Sequence, residues 1–300
     1  MHAAALAYFR ETARLGSIRR AAASLNVAAS ALNRQILKLE DQLGTRLFDR
    51  LHGGMRLTAA GELLLRHVTA TLHDFDAVRA QIDDLRGARS GHVSIVAIDS
   101  LLVDFLPRAL DRFRAKFPAV SYALDAVAPA DVPELVADGA ADLGFAFVAR
   151  NTRAVHFAAE LPAPIGVVMP SDHPLANRRA IAFQDAAAFP FLAQAGPLPR
   201  SADIDPDFAR FRAGLKPRLV SNSIQALKVA LRLNMGIAFF TRLGFLDEIA
   251  RGEMVWRPFE NAAINELRIG LLVAEGRTPT APARQLTRLL MEDLARLRDP

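Results

Sequence analysis

The chain has 300 residues, half of them apolar, which suits two or three domains with sizeable cores. It has no cysteine, so disulfides, thiolate metal sites and cysteine nucleophiles are excluded, and its seven histidines show no metal-site spacing. The net charge of +5 resides in residues 1–60, where nine basic side chains face four acidic ones; the rest of the chain balances at 28 against 28. A basic module on a neutral body is the electrostatic footprint of a nucleic-acid binder.

No apolar run approaches the roughly 20 residues of a membrane span. The N-terminal stretch carries Arg10, Glu11 and Arg14 and lacks an export-signal pattern. The expectation is a cytoplasmic protein without membrane association.

In chain order, the first segment reads as three helices. Leu6, Phe9 and Ala13, with Tyr8 at the margin, form one apolar face; Gly16 stops that helix and Ser17 caps the next. The second helix runs from Ile18 to about Leu25, with Ala21 and Ala22 small enough for another helix to cross closely. Asn26 suits a left-handed turn. The third helix spans about Ala28 to Leu43, with Leu32, Ile36, Leu39 and Leu43 as its buried stripe and Ser30, Asn33, Arg34 and Lys38 on the opposite face. Two helices joined by a tight turn, the second with a polar and basic outer face, make a helix-turn-helix. Arg50 to Thr58 reads as a basic hairpin turning at Gly53 and Gly54, a wing for the phosphate backbone.

Next comes a long helix with an apolar seam of Leu65, Val68, Leu72, Phe75, Val78, Ile82 and Leu85, a candidate dimerisation face. Arg86 to Gly91 forms a polar hinge. Beyond it strands and helices alternate. The strands are 93–98, 120–127, 142–148, 165–169, 191–193, 218–221, 237–240 and 268–273. The helices are 105–117, 132–138, around 208–211, 224–233 and 281–297. Alternation of this kind predicts parallel sheets covered by helices. The expected division is a winged helix-turn-helix at 1–60, a linker helix at 61–89 and a two-lobed α/β region at 92–300. That region has one lobe from 92–162 plus 268–300 and a second from 163–267. The fold class is α+β multidomain, with two α/β, Rossmann-like subdomains.

The N-terminal segment resembles the LysR-type transcriptional regulators. The resemblance rests on Phe9, Gly16, Ser17, Ala21, Ala22, Leu25, Val27, Ser30, Arg34, Gln35, Ile36, Leu39, Glu40, Leu43, Gly44, Leu47, Phe48, Arg50, Leu57, Thr58 and Gly61. Looser likeness continues at Leu106-Pro107, Asp142 to Gly144, His173 to Leu175 and Gly236-Ile237. It implies a winged helix-turn-helix, a dimerising linker helix and a two-lobed sensor of periplasmic-binding-protein type. It also implies homodimers that pair into tetramers on promoter DNA, and a small effector between the lobes. The sequence departs from the family where Ala28 and Ala29 stand in place of a Ser-Gln pair, and where Asn33 replaces a serine. Ala28 has no side-chain oxygen to cap the recognition helix, and Ala29 can offer only a methyl to thymine.

The candidate DNA-binding residues are therefore Ser17, Ala29, Ser30, Asn33, Arg34, Lys38, Arg50 and Arg56. Arg34 and Asn33 are the base readers; Lys38, Arg50 and Arg56 hold phosphates. Effector candidates sit where strands end and helices begin: Asp99, Ser100, Leu101, Ala128, Gln194, Asn222 and Ser223. Arg200 is the one cation expected near this pocket, which favours a small, partly apolar organic acid. No cofactor or metal is implied. An enzyme lacks a supporting motif and an exported solute-binding protein lacks a signal, whereas a constitutive regulator without effector stays open as the alternative reading.

Overall fold

The computed structural model describes residues 2–51, 54–85, 90–148, 154–195 and 206–298. The chain divides into two compact units, residues 1–82 with 138–140, and residues 83–137 with 141 onward. Among the described residues no helix is long and apolar enough to cross a membrane.

The first unit contains α1 (His2–Leu15), α2 (Ile18–Ser24), α3 (Ala29–Leu43), the hairpin β1 (Phe48–Leu51) and β2 (Gly54–Leu57), and α4 (Ala59–Leu85). Its core is Phe9, Ala21, Ala22, Leu32, Ile36, Leu47, Phe48 and Val68, with the Phe9 and Phe48 rings 5.2 Å apart. Each helix boundary has a local cause. Gly16 and Asn26 take left-handed backbone conformations, and the Ser17 hydroxyl accepts the Arg20 amide at 3.4 Å. Gly44, also left-handed, ends α3. Ala28 begins it without a side-chain cap. Thr58 starts α4: its hydroxyl accepts the Gly61 amide and donates to the Arg46 carbonyl.

The wing is pinned to the turn between α1 and α2. The Met55 amide donates to the Gly16 carbonyl at 2.9 Å, and a Cβ on Gly54 would lie 2.5 Å from that same oxygen. Glu40 pins its other strand by accepting the Leu47 and Phe48 amides at 2.8 and 3.2 Å. The apolar stripe of α3 is shorter than its sequence suggests, for Leu43 is 49% exposed in the last turn. The seam of α4 likewise splits. Val68 is buried in the unit's own core with Leu65 and Leu72 packed beside it, while Phe75, Val78 and Ile82 lie exposed. Part of what reads as a dimer seam is intradomain packing.

Glu11 ties α1 to α2. Its carboxylate accepts from Arg14 at 2.7 Å and from the Ser24 hydroxyl at 2.6 Å, and the Arg14 guanidinium leads in holding its pKa down at about 2. A carboxyl depressed in the folded state stabilises above its unfolded value, and that contribution is lost as pH falls through the folded one. Glu11→Gln is therefore expected to cost about 1 kcal/mol at pH 7, allowing for solvent screening, and progressively less between about pH 5 and 2. Urea unfolding of the two proteins across that range measures it; a difference independent of pH would remove the ionic explanation.

The second unit opens with β3 (Ser90–Ala97), α5 (Asp99–Leu102), α6 (Phe105–Lys116), β4 (Ala119–Ala126), α7 (Val132–Ala137), β5 (Leu143–Phe147) and β6 (Val155–Pro162). It continues with β7 (Ile165–Pro170), α8 (Phe183–Ala187), β8 (Phe191–Gln194), α9 (Pro206–Gly214), β9 (Pro217–Ser221), α10 (Ile224–Arg232) and β10 (Ile237–Thr241). A 3-10 turn at Arg242–Phe245, α11 (Leu246–Ala250), β11 (Met254–Pro258), α12 (Ala262–Asn265), β12 (Arg268–Ala274) and α13 (Ala281–Arg298) complete it.

The strands form two five-stranded sheets, ordered β4-β3-β5-β12-β6 and β9-β8-β10-β7-β11. The sheets share one plan. Three parallel strands run in the order second, first, third, and an antiparallel strand follows beside the third. The expectation of purely parallel sheets is thus corrected. The chain passes from one sheet to the other between β6 and β7 and returns before β12, and each crossing delivers a strand that runs against its neighbour. The edge strands β6 and β11 lacked a readable signal: one is only half-buried along most of its length, and the other ends in Trp256, Arg257 and Pro258. The core lies between sheets and helices; α13 buries Ala283, Leu286, Leu290 and Leu294 as one stripe against the first sheet.

Candidate nucleic-acid face and interlobe cleft

The outer face of α3 carries Ser30, Arg34 and Lys38 in line at successive i, i+4 positions, all exposed. Ala29 and Asn33 are half-buried beside them. Asn33 is not free: its Oδ1 accepts a hydrogen bond from Arg50 Nη2 on the wing at 3.1 Å. A bidentate adenine contact needs both ends of the carboxamide, so this bond must be shared or opened before Asn33 can read a base. Arg56 faces Asp49 across the hairpin at 3.7 Å, a loose exposed pair that leaves its guanidinium available to a phosphate. Ser17 is occupied as the α2 cap. Arg46, exposed just before the wing, extends the basic surface and went unsingled because only its charge marks it. Gly53 lies outside the described residues, as do residues 86–89 of the hinge.

In the second unit a cleft of about 410 Å³ lies between the two sheets. Its position follows from topology. The six parallel strands point their carboxyl ends at it, and helix N-termini and loops gather there. Asp99 and Ser100 follow β3, Ala128 follows β4, Gln194 ends β8 and Asn222 follows β9, and all five line the cleft. Two of the expected residues do not. Leu101 is 1% exposed in the core under α5, and Ser223 caps α10, its hydroxyl accepting the Ala226 amide at 3.4 Å. Each sits one residue from a lining position, and helical rotation turns it away. Arg200 lies outside the described residues.

Sequence reasoning missed the aromatic wall and two polar groups. Phe147, Phe191, Phe208, Phe239 and Phe240 line the cavity, with the Phe191 and Phe239 rings stacked at 4.5 Å. Arg212 projects from α9, donating one N–H to the Gln194 carbonyl at 3.2 Å; burial pushes its guanidinium pKa down. Thr241 closes β10 with its hydroxyl buried and without a hydrogen-bond partner among the described residues. Phe147 and Thr241 were within reach, since both end recognisable strand patterns. Arg212 was not, because one turn of helix register decides whether it faces the cavity.

The lobes also touch directly. Asp99 Oδ2 accepts the Ile224 amide at the start of α10 at 3.0 Å. Ser100 packs on Gly244, where a Cβ would come within 2.9 Å of the serine Cβ. Arg108 on α6 pairs with Asp247 on α11 at 3.2 Å. Among the described residues no cluster of three or more histidines or carboxylates is placed to hold a metal ion.

A family model for the LysR substrate binding domain matches residues 86–295, and one for the bacterial regulatory helix-turn-helix protein of the lysR family matches residues 3–62. The chain belongs to the LysR family. It is a DNA-binding transcription regulator, and not an enzyme. Among curated LysR-like relatives, a probable nitrogen assimilation transcriptional activator of Synechococcus elongatus is 25% identical over 283 residues, covering 93% of this chain and 91% of the relative. The regulator CysB of Burkholderia cenocepacia is 28% identical, covering 82% and 79%. A full-length OxyR variant from Pseudomonas aeruginosa shares the LysR fold with a TM-score of 0.67 at 18% identity, covering 100% of this chain and 96% of that one. Full-length CbnR complexed with its target DNA gives a TM-score of 0.63 at 19% identity, covering 98% and 100%.

Proposed function

We propose that this LysR-family chain binds promoter DNA through the α3 face and the wing, and that a small molecule in the interlobe cleft modulates that binding. The observation that carries the reading is the cleft itself: a cavity of drug-like size, walled by aromatic rings and edged by a few polar groups, at the carboxyl ends of six parallel strands. On this reading residues 1–60 bind DNA, 61–89 link and dimerise, and 92–300 sense. Phe75, Val78 and Ile82, exposed on the second half of α4, are the apolar face a second copy covers, and tetramers form from such dimers on DNA. A promoter-binding role places the protein in the bacterial cytoplasm.

Arg34 and Asn33 are assigned to base edges and Lys38, Arg50 and Arg56 to phosphates. Arg34→Ala is expected to weaken operator binding by about 1–3 kcal/mol with little effect on non-specific DNA, whereas Lys38→Ala should weaken both and lower the salt slope by about one. Footprinting titrations at several salt concentrations separate the two; unchanged operator affinity in Arg34→Ala would remove its base-reading role. For the sensor, melting of the purified protein against small acids, amines and phenols is the direct test. A ligand at 100 times its Kd adds about 2.7 kcal/mol to the fold that binds it. Silence across the whole set, with salt-sensitive operator binding intact, would favour a regulator that acts without effector.

A further inference from the structure

The polar groups of the cleft do not match the simple organic acid that the sequence suggests. Two amides at the N-terminus of α10, the natural seat for a carboxylate, are already taken from within: Asp99 accepts the Ile224 amide and Ser223 the Ala226 amide. An incoming acid would have to displace Asp99 and meet its charge. Asp99 Oδ1, by contrast, carries no hydrogen bond among the described residues, and it offers an acceptor to a cationic donor without disturbing the bond across the lobes.

The facing lobe supplies the complement. Arg212 uses one N–H on the Gln194 carbonyl, and its other donors have no partner among the described residues. A guanidinium held this way among phenylalanines suits a carboxylate, which it can grip with two parallel bonds. Thr241 adds a buried hydroxyl that has no partner among the described residues, so its desolvation is uncompensated by them. A pure anion satisfies Arg212 and leaves Asp99 facing like charge; a pure cation does the reverse.

We propose that the cleft accepts a small zwitterion with an apolar body, of the class of apolar or aromatic α-amino acids. Asp99 receives the ammonium, Arg212 and Thr241 receive the carboxylate, and Phe147, Phe191 and Phe239 enclose the side chain. This rests on the cleft being the effector site. Because Asp99 holds both α10 and the ligand, binding reinforces the contact between the lobes.

The test uses the full chain and four probes: L-phenylalanine, L-leucine, phenethylamine and phenylacetate, the last two each lacking one charged head. Melting curves and titration calorimetry should show an amino acid binding about tenfold or more tightly than either one-headed analogue of comparable body. Asp99→Asn keeps an acceptor for the Ile224 amide, so the lobes remain joined; it should erase the advantage over phenylacetate. Arg212→Gln should erase the advantage over phenethylamine. Phenylacetate binding as tightly as L-phenylalanine and indifferent to Asp99→Asn overturns the zwitterion and leaves the cleft as a site for acids. Phenethylamine alone binding overturns it in favour of amines. If only compounds of other classes shift the melt, the amino-acid class is wrong while the cleft stands as the effector site. If no compound of a broad set shifts the melt while operator binding persists, the effector-site reading fails with it.

Discussion

Replacing Lys228 by methionine is expected to destabilise the second unit by about 3 kcal/mol, the low end of the range for breaking a buried ion pair. Lys228 Nζ lies 2.8 Å from Glu248 Oε2, with side chains only 3% and 5% exposed, and it stands 5.1 Å over the Phe245 ring. The substitution roughly conserves volume but leaves a carboxylate inside the lobe. The loss stays at the low end because Arg232 still reaches Glu248 at 3.1 Å. The double substitution Lys228→Met, Glu248→Leu removes both charges and should recover most of the stability, since two desolvation costs disappear with the attraction. Urea unfolding of the single and double variants gives the coupling directly. A single variant within about 1 kcal/mol of the parent would mean that the pair is solvated in solution.

Phe9→Ala should cost about 3–5 kcal/mol, a loss comparable to the whole stability of a unit this small. Phe9 is fully buried, meets the Phe48 ring of the wing at 5.2 Å, and joins α1 to both α3 and β1 in one core. The expected result is selective. Calorimetry should show the first unit melting at or below working temperature and footprinting should show operator binding lost, while the transition of the second unit stays in place. Operator binding at parental affinity would show that the winged unit has stability to spare.

The N-terminal unit was legible residue by residue because its signals are local. Gly16, Asn26 and Gly44 need a left-handed backbone, Ser17 caps, and Leu32 and Ile36 recur at helical spacing; none of these depends on a distant partner. Reading failed where a distant partner decides. Leu43 completes the stripe of α3 in sequence, yet no core reaches its turn. Asn33 looks like a free base reader, yet Arg50, 17 residues on, holds its carboxamide.

The sensor shows the same division on a larger scale. Alternating strand and helix patterns were enough to place Asp99, Ser100, Ala128, Gln194 and Asn222 at strand ends, and parallel strands bring such ends to one edge. What sequence could not supply is which ends face each other. Two crossings of the chain set β7 and β12 antiparallel to their neighbours, and only then does Arg212 on α9 come to line the same cavity as Asp99 on α5.

By itself the sequence determined the basic winged module, the alternation of elements behind it and the strand ends that carry the site, because charge, caps and periodicity act within a few residues. Only the tertiary structure decided that the first amide of α10 is taken by Asp99, that Arg212 and Thr241 have bonding capacity to spare among the described residues, and that five phenylalanines wall the space between them. Those outcomes depend on packing across two lobes, where a single helical register turns Leu101 into core and leaves Ser100 in the wall.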